Sequence, residues 1–138
     1  KKNKFNNWDV LQFYKYFNHS GFWGKRNEEI SIVDMGNNNK SLLIKESING
    51  NQGYFSGFLK YLLLEPYSYI KEIFSTMYYD TNSGAVENGF TEERSIKLIF
   101  TKESYFNIEL TTTRDNPYKK VKRIFKYDEK EQKYIATE

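Results

Sequence analysis

Cysteine is absent from the 138 residues, which excludes a disulfide framework, a thiolate nucleophile and any cysteine-based zinc site. Histidine is almost absent. A Ser-His-Asp triad would rest entirely on His19, and no G-x-S-x-G elbow accompanies it. Ser20 is adjacent in sequence, which does not give triad geometry; a histidine near a helix end, interacting with the last carbonyls, accounts for the same residue. No run approaches the roughly 18 apolar residues of a membrane helix: the densest stretch, Phe58 to Leu64, is interrupted by Lys60. No membrane span is therefore expected. A phosphate-binding glycine loop and a metal-ligand cluster are also missing, so no catalytic residue, metal or cofactor is assigned.

Alanine and proline occur only twice each, whereas Tyr (12), Phe (11) and Asn (14) are abundant. Codon usage in an AT-rich genome would produce this pattern, so the aromatics need no functional explanation. Scarce alanine with plentiful Ile, Thr, Tyr and Phe favours strands over helices. Leu, Ile, Val and Phe make up 35 of the 138 residues, above the roughly one-fifth level below which chains stay disordered. The length suits one globular domain, 1–138, with a core that needs no staples. The chain starts at Lys1 rather than Met, which suggests a processed, exported protein, periplasmic or extracellular.

The net charge of +3 is unevenly spread. Residues 1–26 carry six bases and one acid, residues 114–138 eight bases and five acids, and the segment between is acidic. Basic ends around an acidic centre point away from one continuous nucleic-acid face.

Helical spacing of Trp8, Leu11 and Tyr14, with Asn7 able to cap, predicts one amphipathic helix to about Phe17. From residue 29 the period changes to two. Glu29 to Met35 and Ser41 to Ile48 read as a hairpin around Gly36–Asn39, with Leu42, Ile44 and Ile48 on one face. Asn49-Gly50 suits a type I′ turn into a third strand, Gly53 to Leu64. Pro66 to Tyr79 fits either a helix, through Ile70, Ile73, Phe74 and Met77, or a strand, through its Tyr, Ile, Phe and Thr content; strand is the preferred reading. Asp80 to Glu93 forms the longest candidate loop. Ile96, Leu98 and Phe100 alternate against Phe106, Ile108 and Leu110, and Lys120 to Tyr127 with Lys133 to Thr137 form a final pair. The expected class is α+β: an N-terminal helix packed on a mainly antiparallel, meander-like sheet of about six or seven strands.

Several motifs begin a known chemistry and then break off. Asp80-Thr81-Asn82-Ser83-Gly84 starts like an oxygen-ligand calcium loop, but Gly84, Ala85 and Thr91 stand where a ligand, a glycine and a glutamate belong. Asx turns explain the same residues. Gly57 to Tyr61 matches only the tail of the aromatic RNA-recognition signature. The run Lys119 to Tyr127 interleaves bases and aromatics, as single-strand grooves do, and lysines guarding an edge strand do the same. The acidic pairs Glu28-Glu29 and Glu92-Glu93, with Asp34, Glu46, Glu65 and Glu72, are the acid/base equipment a carboxylate hydrolase would draw on.

A non-catalytic protein-binding domain is the expectation that follows, in the style of a small exported inhibitor, immunity or accessory protein. Its contact residues are expected in the long loop and its flanking tyrosines: Tyr78, Tyr79, Asp80, Asn82, Glu87 and Phe90. A protein partner is expected; nucleic acid is not. A carboxylate-dependent hydrolase, or a weak nucleic-acid binder using the basic C-terminal strand, is the alternative.

Overall fold

The computed structural model describes residues 26–49, 53–63 and 70–137, with side chains from 29 to 47 in the first segment. They form eight strands: β1 Arg26–Gly36, β2 Asn39–Asn49, β3 Phe55–Leu63, β4 Lys71–Thr81, β5 Thr91–Ile99, β6 Asn107–Arg114, β7 Lys119–Asp128 and β8 Lys133–Ala136. All belong to one sheet in sequence order, each antiparallel to the next.

The α+β expectation is thereby corrected. The described residues are all-β, with eight strands rather than six or seven and no helix packed on the sheet. The physical reason lies in the composition, since β-branched and aromatic side chains fit a pleated surface and cost more in a helix. The helix expected over Trp8 to Phe17 lies outside the described residues, as do His19, Glu65 and the Gly50 half of the Asn49-Gly50 turn.

Local chemistry sets the ladder. The β1–β2 hairpin turns on Asn37 and Asn38, both at positive φ (45° and 64°), the pair of left-handed residues a tight primed turn needs and asparagine tolerates. In β4 the register slips by one residue, because Tyr61 pairs with Phe74 but Leu62 with Glu72. Ile73 is the extra residue, and the bulge turns both Ile73 and Phe74 inward.

The sheet does not stay flat. β4 pairs with β5 only through Tyr79, Asp80 and Thr81, and its Lys71–Phe74 end swings towards β8. There the Phe74 ring meets Tyr134 edge-on at 6.0 Å and Phe125 at 5.1 Å, while Lys71 Nζ donates to the Glu131 carbonyl at 3.0 Å. The core forms inside this fold-back, where Met35, Tyr61, Leu63, Ile73 and Phe74 from β1–β4 meet Ile108 and Tyr134 from β6 and β8. The opposite face of β2 is buried too, at Ile44 and Glu46.

Candidate functional site

The β4–β5 loop, Asn82 to Phe90, is fixed by its own side chains. Asn82 Oδ1 accepts the Phe90 N–H at 2.7 Å and the Asn82 carbonyl accepts from Ala85 and Val86. At its base the Thr81 hydroxyl donates to the Phe90 carbonyl at 2.9 Å and lies 3.0 Å from Ser83 Oγ and 3.1 Å from Thr91 Oγ1. This is Asx and Ser/Thr turn chemistry closing a loop on itself.

Two neighbouring segments brace the loop. Gly53, at φ +83°, lies against the backbone of Gly84 so closely that a Cβ there would overlap it. On the other side Asn116, in the β6–β7 turn, donates to the carbonyls of Asn88 and Gly89 at 3.0 and 3.2 Å. Asp115 Oδ1 accepts the Thr91 N–H at 2.7 Å, and this bond holds its carboxyl below the ordinary range. The guanidinium carbon of Arg114 sits 3.9 Å above the Phe90 ring. One end of the sheet is thus a single braced surface made from the start of β3, the β4–β5 loop and the β6–β7 turn.

The six residues singled out from sequence take different places on it. Asp80, Asn82 and Phe90 serve the scaffold: Asp80 accepts the Ser56 hydroxyl at 2.8 Å, Asn82 closes the loop, and Phe90 supports Arg114. Glu87 is exposed on the loop. Tyr78 and Tyr79 are half-buried and line a cleft of about 330 Å³ with Glu93, Arg94, Thr111 and Thr113. Tyr78 is the extra residue of the second β4 bulge, its ring covers Gly57 and Lys45 Nζ lies 4.8 Å from the ring centre.

Of the apolar side chains that this end displays, sequence reasoning offers Tyr54 as one ring of an aromatic platform and misses Phe55, Val86 and Tyr118. Tyr54 (48% exposed), Phe55 (41%), Val86 (44%) and Tyr118 (73%) stand open beside the braced loop. The available signal was weak: Tyr54 and Phe55 follow Gly53, and Tyr118 follows Asn116-Pro117, so each flanks a turn.

The other candidate residues are spread over several strands. Glu92 and Glu93 are consecutive in a strand and point to opposite faces; Glu92 Oε1 takes two bonds from Arg94, at 2.9 and 2.6 Å. Among the described residues no three His, Asp or Glu side chains gather as metal ligands. Tyr61, the last ring of the RNA-like stretch, is buried in the core, where it cannot stack on a base. β7 is flanked by β6 and β8, but β8 reaches only Phe125 to Asp128. No family model, curated protein or solved structure matches this chain.

Proposed function

We propose that this chain is a non-catalytic protein-binding domain that meets its partner with the braced end of the sheet. The observation that supports the reading is the coincidence of a loop closed by Thr81, Asn82 and Asn116 with four open apolar side chains, Tyr54, Phe55, Val86 and Tyr118. A loop already held in one conformation loses little entropy on binding. Tyrosine and phenylalanine supply large contact areas with few rotatable bonds. A small exported inhibitor, immunity or accessory protein is the kind of binding domain proposed.

Photoreactive residues placed at Val86 and Tyr118, with a third at Lys97 on the β5 surface, test the reading in material from the source organism. One protein crosslinked from 86 and 118 but not from 97, whose purified form binds wild type and not Tyr54→Ala/Tyr118→Ala, is the expected result. Equal labelling from all three positions, or none, rejects it.

A further inference from the structure

The inward face of β5–β7 changes character along its length. Its first cross-strand row is apolar, Leu98, Ile108 and Phe125, and the next is Ile96, Leu110 and Arg123. Then come Arg94, Thr112 and Val121, and finally Glu92, Arg114 and Lys119. Beyond the core the face opens into a cleft of about 200 Å³ whose lining includes all four bases and the single acid.

That acid is already engaged by Arg94. Arg114 and Lys119 stand directly opposite one another in the β6–β7 ladder, an arrangement of like charges that costs stability. Among the described residues the Lys119 ammonium and the Arg123 guanidinium take part in no ion pair or side-chain hydrogen bond, in contrast to Lys122 on the other face of β7, which meets Glu109 at 3.1 Å. Arg114 is held by the Asn116 carbonyl through Nε, at 3.0 Å, and by the Phe90 ring. Its two terminal nitrogens remain available in a fixed position.

We infer that this cleft binds a small, multiply charged anion, one bearing phosphoryl or several carboxylate groups, held by Arg114, Lys119 and Arg123 with the Thr112 hydroxyl at the floor. Guanidinium and ammonium donors give such oxygens short charge-assisted bonds, and the bound charge relieves the Arg114–Lys119 opposition. The volume sets the size, since it lies below the roughly 300–1,000 Å³ of sites for larger ligands. The cleft adjoins the braced end at Arg114 and Lys119 but includes none of the four open apolar side chains, so its anion binding is tested independently of the proposed protein contact.

The test is an NMR titration of the wild-type chain with inorganic pyrophosphate and, separately, citrate at constant ionic strength. Saturable shifts at the Thr112 and Val121 amides are expected. Lys119→Gln and Arg123→Gln should each weaken binding about tenfold, while Lys120→Gln, which alters the other face, should not. Tighter binding of pyrophosphate assigns a phosphoryl ligand, and of citrate a polycarboxylate. Affinity for neither anion below about 1 mM, or equal affinity in the Lys119 and Arg123 variants, overturns the inference. So does binding of a single-stranded oligonucleotide that pyrophosphate does not displace, which would make the face a nucleic-acid groove instead.

Discussion

The Arg94 guanidinium on β5 donates to the Thr76 hydroxyl on β4 across 3.0 Å, at a level where the two backbones have already parted. The same guanidinium holds Glu92 through Nε and Nη2. One side chain therefore spans the fork at which the sheet turns back on itself, anchored on both arms.

Replacing Arg94 by Leu should destabilise the protein by about 1–3 kcal/mol, because it leaves the Glu92 carboxylate without its partner. Glu92 is only 18% exposed, so water compensates poorly. Adding Glu92→Leu to Arg94→Leu should restore part of the loss, since replacing both members of such a pair by apolar groups is far milder than removing one. Urea midpoints of the two single variants and the double variant decide the matter, and strictly additive losses contradict it.

Gly53→Ala should cost about 1–3 kcal/mol and loosen the β4–β5 loop. The position has φ +83° and its added Cβ would collide with the Gly84 backbone, so strain and overlap act together. Hydrogen exchange at the Ala85 and Val86 amides, both bonded to the Asn82 carbonyl, reads the loosening directly. Unchanged protection there contradicts the brace.

Alkaline pH should unfold the domain through its buried phenols. Burial pushes the Tyr134 hydroxyl far above the usual tyrosine range, helped by the neighbouring Tyr105, Tyr61 and Tyr127, and burial raises Tyr61 as well. In the unfolded chain both ionise near pH 10. Above that pH the native state retains protons that the unfolded state has lost, so stability present at neutral pH falls as pH rises, by up to about 1.4 kcal/mol per unit for each tyrosine. Urea midpoints measured from about pH 8 to about pH 11 should decline only in the upper part of that range. Tyr134→Phe should flatten the decline while lowering stability at neutral pH, because the Phe106 carbonyl loses its donor at 2.8 Å.

Strict alternation was legible wherever the ladder is regular, as in Ile96 and Leu98 facing Ile108 and Leu110. It failed where the backbone departs from period two. The bulge at Ile73 sends two consecutive residues inward, so Ile70, Ile73, Phe74 and Met77 mimic helical spacing on a segment whose described part, Lys71–Thr81, is strand. β2 misleads in another way: Leu43 packs against the core while Ile44, one residue on, is also buried, so neither face reads as the exposed one. For the candidate site, the Asx chemistry of Asn82 and Ser83 marked a structured loop. Its buttresses, Gly53 and Asn116, are distant in sequence, and pattern within the loop could not reveal them.

A ladder in which every strand joins only its sequence neighbour holds together locally without help from the rest of the chain. The β4–β5 seam, with three paired residues, is the place where that main-chain continuity is thinnest. Unity between the two flanks then comes from the shared core, where Met35, Tyr61, Leu63, Ile73 and Phe74 meet Ile108 and Tyr134, from the Phe106 N–H bonded to the Met35 carbonyl, from Lys71 reaching the β7–β8 turn, and from Arg94 at the crotch. Cooperative melting of this protein is in that sense set mostly by the contacts made across its fold-back rather than along its ladder: weaken those, and one transition should resolve into two.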